Sequence, residues 1–330
     1  MSSANAAAID IQDLQKVYSG FSAVSGISLT IERGEIFGLL GPNGAGKSTT
    51  TNIISGRISP TGGKTTVYGF DVSKETSKVK HILGVAPQEI ALYDHLTARE
   101  MLYLMGNLYG VPQPSLNARI EELLEFSGLL TKNGRIGIFS GGMKRRLNLV
   151  ASMVHDPEIL LLDEPTVGVD PQQRRRIWSM ILKLKERGKT VVLTTHLMDE
   201  ADRLCDRIAI MESGKIIALD SPTNFKRRLG GEQVIDIVSD QPRILSEELE
   251  KIKGISRVED SKRFADDWEE PFGRLRLVST TGVDLLPAVI FAAQQTRAKI
   301  ESVVAREVNL DDVFIALTGR SLREEEEPQW

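Results

Sequence analysis

Apolar residues in this chain gather into short runs separated by amphipathic stretches, and the spacing predicts alternating strands and helices. Residues 7–17 and 25–31 are rich in Ile, Val and Leu with partial alternation, the pattern of half-buried strands. Residues 35–40 (EIFGLL) form an apolar run that leads straight into a glycine-rich loop, and residues 48–55 beyond it read as helix. Val67 and Tyr68 predict another strand before Gly69. Thr97 and Glu100 make a T-x-x-E capping pattern in front of MLYLMGNLYG. Pro112 and Pro114 are expected to break that helix, with Ser115 capping a second one over LNARIEELLEFSGLL. A third helix opens at the glycine turn of FSGGMKRRLNLVASMV, and Pro157 closes that segment. Residues 158–162 (EILLL) and 190–195 (TVVLTT) predict buried strands, with a helix over residues 171–187 between them. Strands separated by helices imply a mainly parallel sheet with both faces covered.

The pattern changes near Leu229, where Gly230 and Gly231 suit a linker. Beyond it come a strand (233–238), a helix (244–252), strands (255–260 and 273–279), a helix (284–298) and a strand (299–308). That β-α-β-β-α-β order predicts a small α+β, ferredoxin-like domain, followed by a last helix over 310–317. The expected domains are therefore 1–229 and 230–330, which suits a chain of 330 residues.

Charge sharpens this division. The net charge of −4 conceals 13 Lys and Arg against 21 Asp and Glu in residues 230–330. The remainder is mildly basic and suited to an anionic ligand; the second part is acidic and ends in Glu324 to Glu327, a solvated tail. Neither balance is extreme enough to argue for nucleic acid. With 41% hydrophobic and 26% charged residues the chain has a soluble globular composition. No stretch approaches the roughly 18 apolar residues of a membrane span, so membrane work would need another polypeptide. The N-terminus lacks a basic region followed by an apolar run, which predicts no secretory signal. The single cysteine, Cys205, excludes an internal disulfide and a multi-cysteine metal site.

Candidate chemistry begins at Gly41-Pro42-Asn43-Gly44-Ala45-Gly46-Lys47-Ser48, which matches G-x-x-x-x-G-K-[ST] and sits between an apolar run and a predicted helix. Glycines let backbone N–H groups curve around phosphate oxygens, and the helix start turns its positive end toward them. Lys47 should reach the β- and γ-phosphates and the Ser48 hydroxyl should bind Mg²⁺. The run Ile159 to Leu162 ends in Asp163-Glu164, at the edge of a parallel sheet where ligands bind. Adjacent strand residues face opposite sides, so the two carboxylates take separate roles. Asp163 would hold the Mg²⁺ shell, and Glu164 would act as general base on the attacking water. His196 follows the next apolar strand and is expected to contact the γ-phosphate and the water. His81, His95 and His155 lack such a setting.

Together these pieces resemble the nucleotide-binding subunit of an ATP-binding cassette (ABC) transporter, over about residues 9–228. The specific mark is Ser140-Gly141-Gly142-Met143, which is similar to the LSGGQ signature, although Phe139 and Met143 replace its Leu and Gln. The resemblance implies an ABC cassette of the P-loop NTPase class, a mainly parallel sheet core with a helical subdomain. In that family the signature grips the γ-phosphate held by the other subunit, so two ATP molecules lie sandwiched between two cassettes. It further implies that Tyr18 stacks on adenine and that Thr49 completes the phosphate loop. Gln88 would touch Mg²⁺ and water and sense the membrane partner, and Asp170, in Gly168-Val-Asp170, would lie at the dimer interface. The SGGM form followed by basic residues, IFGLLGPNGAGKSTT, and the segment from Asn309 to Gly319 resemble the ABC-2 type exporters, including the daunorubicin type.

The reading that results is an ATP-hydrolysing motor subunit on the cytoplasmic face of a membrane. It pairs with a second cassette, the same or different, and with a separate ABC-2 type permease contacted around Gln88, Leu92, Tyr93 and the helices after Thr97. The acidic second domain is an accessory for dimer contact or regulation. The rivals are a soluble ABC ATPase of the translation or DNA-repair type, an importer subunit, and an unrelated P-loop kinase or GTPase. Asp199-Glu-Ala-Asp202 spells a helicase motif but lacks a strand running into it, and is expected to be the exposed start of a helix. Arg174 to Arg176 read as a solvated helix face.

Overall fold

The computed structural model describes residues 7–228, 233–260, 273–279 and 282–318. Two compact units meet in sequence between Ser221 and Pro222. The first opens with β1 (Ala7–Tyr18), β2 (Phe21–Glu32), β3 (Ile36–Leu40) and α1 (Lys47–Ile54). There follow β4 (Gly62–Val67), β5 (Phe70–Asp71), α2 (Thr76–Ile82) and β6 (Leu83–Ala86). A helical part comes next: α3 (Ala98–Leu108), α4 (Gln113–Phe126) and α5 (Gly141–Ala151). The unit ends with β7 (Ile159–Asp163), α6 (Pro171–Glu186), β8 (Thr190–Thr195), α7 (Met198–Leu204), β9 (Arg207–Glu212) and β10 (Lys215–Asp220).

Two sheets organise these strands. One is antiparallel, in the order β2-β1-β4-β5. The other runs β10-β9-β3-β8-β7-β6, with β10 the only antiparallel neighbour among the described strands. β3 and β8 are buried along their whole length, and β7 is buried up to Asp163. Strands covered on both faces need no polar alternation, which is why they read as unbroken apolar runs. Their shared direction brings the carboxyl ends of β3, β6, β7 and β8 to one edge.

Several local expectations differ. Tyr68 does not continue a strand: β4 ends at Val67, and Tyr68 turns with φ 48° ahead of Gly69. Ser115 does not cap a helix. α4 starts at Gln113 with Pro112 as its N-cap and Pro114 in its first turn. Proline is tolerated there because the first-turn N–H groups have no intrahelical acceptor to lose. Thr97 does cap α3, accepting from Glu100 N while the Glu100 carboxylate accepts from Thr97 N at 2.8 Å.

The second unit contains α8 (Pro222–Arg228), β11 (Gln233–Ser239), α9 (Pro242–Leu249), β12 (Ile255–Asp260) and β13 (Gly273–Ser279). It closes with α10 (Leu286–Thr296), β14 (Ile300–Glu307) and α11 (Leu310–Thr318). Its sheet is antiparallel in the order β12-β13-β11-β14, the ferredoxin-like arrangement. Ile235, Ile237, Leu245, Leu249, Leu275, Leu277 and Val289 form its core. α8 packs with α11 in this unit, so the first unit ends at Ser221 and not at the expected residue 229. Gly230, Gly231 and the acidic tail from Glu324 to Glu327 lie outside the described residues.

Candidate functional site

The loop from Gly41 to Gly46 joins the buried strand β3 to α1. Gly46 has φ 103°, and a Cβ there would lie 2.5 Å from the Ala23 carbonyl oxygen. A Cβ on Gly41 would stand 2.2 Å from the Met211 carbonyl oxygen. Only glycine fits either position, so the loop is held tight between β2 and the β9–β10 hairpin. Ala45 is buried, Asn43 and Gly44 are exposed, and Thr49 is half-buried in the first turn of α1.

Lys47 is buried, and its ammonium donates to the carbonyls of Gly41 at 2.7 Å and Pro42 at 2.9 Å. It also lies 4.0 Å from Glu164 Oε1. The exposed Ser48 hydroxyl donates to Asp163 Oδ1 at 3.3 Å, and Thr194 Oγ1 donates to the same oxygen. A hydroxyl beside a carboxylate is the all-oxygen donor set that a hard cation such as Mg²⁺ takes, so Ser48 and Asp163 fit it.

Glu164 follows the end of β7 in the left-handed region, with φ 46°. A non-glycine residue held there costs about 1–3 kcal/mol, and such strain gathers at functional sites. Its N–H is fixed by both the carbonyl and the hydroxyl of Thr194, each at 3.1 Å. This turn, rather than strand alternation, separates the two carboxylates: Asp163 faces Ser48, and Glu164 faces the loop lysine. Gln88 Nε2 donates to Glu164 Oε2 at 2.9 Å, and His196 Nδ1 lies 3.1 Å from Glu164 Oε1. An ionised carboxylate only accepts, so Nδ1 carries the hydrogen. The His196 hydrogen bond, aided by the charges of His196, Lys47 and Arg145, lowers the Glu164 pKa from its ordinary 4.5 against the opposing effect of burial. The site thus holds an ionised carboxylate between an amide, an imidazole and an ammonium. That set can accept a proton from a water that the amide orients, while the loop and Lys47 stabilise phosphate charge.

The other expected residues stand on other elements. Tyr18 ends β1 and is 43% exposed, with the Lys16 ammonium 4.9 Å from the centre of its ring. Ser140 is the N-cap of α5, accepting from Met143 N at 3.3 Å, with Gly141 and Gly142 in the first turn. Asp170 caps α6, its carboxylate accepting from Gln172 N and Gln173 N at 3.0 Å each.

Glu200, in the DEAD run, is not exposed. It is 1% accessible and accepts from Thr166 Oγ1 at 2.8 Å and Trp178 Nε1 at 3.0 Å. Burial raises its carboxyl pKa against those hydrogen bonds. Its donors come from distant segments, so the run of acids gave no sign of them. Thr194, Arg145 and Asn148 also serve the site without having been expected. Arg145 sits in the basic run after SGGM, the one visible signal.

Beside Gln88 a cleft of about 280 Å³ opens, lined by Pro87, Ala91, Met101, Met105, Tyr109 and Asn148 among others. No helix of the described residues is long and apolar enough to cross a membrane. Among those residues no cluster of His, Cys, Asp or Glu could by itself hold a metal.

A family model described as ABC transporter matches residues 24–167. The linearmycin resistance ATP-binding protein LnrL of Bacillus subtilis is 39% identical, over 96% of this chain and 100% of that protein. The Nod factor export ATP-binding protein I of Rhizobium etli is 39% identical, over 96% and 94% respectively. The daunorubicin resistance ATP-binding protein DrrA2 of Streptomyces coeruleorubidus is 36% identical, over 94% and 95%. Among solved structures, an ATP-binding subunit of an ABC transporter is similar with a TM-score of 0.60 at 28% identity, covering 67% of this chain and 93% of that one. A dimeric post-hydrolysis state of an ATP-binding cassette bound to ADP and Pi is similar with a TM-score of 0.59 at 26% identity, over 64% and 98%.

Proposed function

This chain belongs to the ABC transporter family, as one of its ATP-binding subunits, and we propose that it is the ATP-hydrolysing motor of an exporter with an ABC-2 type permease. The observation that carries the reading is Glu164, ionised and strained, held between Gln88, His196 and Lys47. The names of the relatives, one for export and two for drug resistance, support outward transport.

ATP phosphates would lie in the Gly41–Ser48 loop, with Tyr18 against the adenine and Lys47 at the β- and γ-phosphates. Mg²⁺ would be held by Ser48 and Asp163, with Gln88 beside it, and would neutralise phosphate charge. Gln88 would orient a water in line with the γ-phosphorus. As its oxygen bonds to phosphorus, the bond to the β–γ bridging oxygen breaks and ADP leaves with that oxygen. Glu164 takes the water proton. His196 keeps Glu164 ionised and aimed, and can meet the γ-phosphate once nucleotide is present. Ser140, Gly141 and Gly142, at the positive end of α5, would grip the γ-phosphate of a partner cassette, with Asp170 at the same interface. The cleft beside Gln88, apolar at Met101 and Met105 and cationic at Arg57 and Lys80, offers a seat for the permease, so seating there would be felt at the catalytic amide.

The test is gentle detergent extraction of native membranes, capture of this chain, and identification of its companions. A stoichiometric integral membrane protein is the expected result. Recovery only from the soluble fraction, or with ribosomes or DNA, would leave the ATPase but overturn transport.

A further inference from the structure

α5 begins at the SGG turn and carries on one face two side chains that grip the loops of the site. Arg145 donates from one guanidinium nitrogen to the Gln88 carbonyl and from another to the Val167 carbonyl at 3.2 Å. Gln88 follows β6, and Val167 follows β7 three residues after Glu164, so a single guanidinium joins loops from two different strands. Asn148, one turn further along, donates to the Pro87 carbonyl at 3.2 Å and accepts from Ala91 N at 3.4 Å. The stretch from Pro87 to Ala91 is therefore held at both ends by one helix.

The chemistry calls for arginine. A planar fork can serve two carbonyls at fixed angles, whereas an ammonium is a single point. Burial works against the Arg145 charge, and the carboxylates of Glu164 and Asp163 offset it. The next residue shows the contrast. Arg146 is buried and bonds to the carbonyls of Gly142 and Ser127, inside the helical part. Two adjacent arginines thus face different ways, and Arg145 alone of the two reaches the catalytic loops.

We infer that Arg145 is a positioning residue for hydrolysis: it ties the helix opened by Ser140-Gly141-Gly142 to both loops that carry Gln88 and Glu164. A displacement of α5 then moves the Gln88 backbone and the turn after Glu164 together. The inference rests on the ATPase reading above, and it adds the link by which the signature helix sets the Gln88–Glu164 pair.

The test uses the full chain, assayed alone and with any membrane partner that co-purifies. Arg145→Met keeps the aliphatic stem and removes the fork; Arg145→Lys keeps the charge. Both are measured for kcat, KM, ATP affinity and thermal midpoint, and Arg145→Met is also combined with Gln88→Ala. Misplacing a catalytic group by about 1 Å can cost on the order of a hundredfold. We expect kcat to fall by about tenfold to a hundredfold on that ground, while ATP affinity stays within about twofold. Lysine should recover only part of the rate. Combined with Gln88→Ala, the arginine change should cost less than it does alone, because only the part that runs through the turn after Glu164 remains to be lost. Wild-type kcat in both variants, additive losses in the double variant, or affinity lost in step with rate would each overturn the inference. If Arg145→Met fails to fold, Arg145→Lys decides by the same split between rate and affinity. Failure of the ATPase reading looks different: the unmodified chain would then hydrolyse no ATP in either setting, and the inference would fall with it.

Discussion

Each unit holds a polar cluster built across several segments, and the two clusters are used in opposite ways. In the first, five parallel strands deliver loops to one edge, and Lys47, Gln88, Glu164 and His196 converge there from four segments far apart in sequence. In the second, the charges close on one another. Asp236 of β11 sits opposite Arg276 of β13 and receives its Nε at 2.9 Å. Arg306 of β14 reaches the other Asp236 oxygen at 3.2 Å, and its fork grips Asp312 of α11 at 2.6 and 2.9 Å. Arg276 completes the square with Asp312 at 3.3 Å. Two arginines and two aspartates neutralise each other and fasten α11 to the sheet face opposite the apolar core. A parallel sheet concentrates strand ends where a ligand can use them. An antiparallel sheet scatters its turns, and here the polar groups on its face serve attachment instead.

This contrast predicts that damage to the first cluster is kinetic and damage to the second is thermodynamic. The largest effect should come from Glu164→Gln. Gln keeps the shape and can still meet Gln88 and His196, but it cannot take a proton. Turnover should fall by about a hundredfold or more, the range assigned to a general base, with ATP affinity preserved. Single-turnover hydrolysis beside equilibrium nucleotide binding measures both. Normal turnover would mean that another group takes the proton, and the converging cluster would lose its meaning.

Asp312→Ala tests the other side. It strips one partner from two arginines, one of which is only 8% accessible. Breaking a buried pair in this way costs about 3–5 kcal/mol. The second unit should therefore unfold at lower denaturant while the first keeps its own transition and its hydrolysis rate per folded molecule. Chemical denaturation followed by Trp178 fluorescence for the first unit, in a background where Trp268 and Trp330 are replaced by Phe, and by hydrogen exchange of β11 for the second, separates the two. A loss of turnover with no loss of stability would erase the distinction between the units.

How much of this could be read beforehand follows the same division. Strands buried on both faces announced themselves, because β3, β7 and β8 need unbroken apolar runs. The tight loop from Gly41 to Gly46 did too, since the backbone carbonyls of Met211 and Ala23 leave no room for a Cβ at Gly41 or Gly46. The β-α-β-β-α-β order of the second unit was legible from alternating patterns. What stayed hidden depends on neighbours far away in sequence. β6 is four residues long and is held by β7, and the β9–β10 hairpin is fixed by pairing with β3. Glu200 looked like a solvated acid because its donors, Thr166 and Trp178, lie 34 and 22 residues away. The left-handed turn at Glu164 is imposed by Thr194 on the next strand. Arg145 stood in plain view, but its use depends on two loops that come together only in the fold.

The smallest effect concerns helix starts in the first unit, remote from either charged cluster. Thr97 and Ser115 are each a hydroxyl ahead of an amphipathic run, but only Thr97 has an acid three residues on, Glu100. Thr97 makes the reciprocal pair with Glu100, and two N–H groups that would otherwise lack partners are satisfied. Ser115 stands inside the first turn of α4, and its N–H is taken by the Pro112 carbonyl at 3.0 Å. Thr97→Ala should therefore cost about 1 kcal/mol, the usual worth of an N-cap. Ser115→Ala should stay within about 0.5 kcal/mol, like other surface changes that remove no partner. Neither should alter the hydrolysis rate per folded molecule, since neither touches the loops that hold Gln88 or Glu164. Equal losses of stability in the two variants, measured by denaturant unfolding, would show that helix α4 begins where the sequence pattern placed it and not at Gln113.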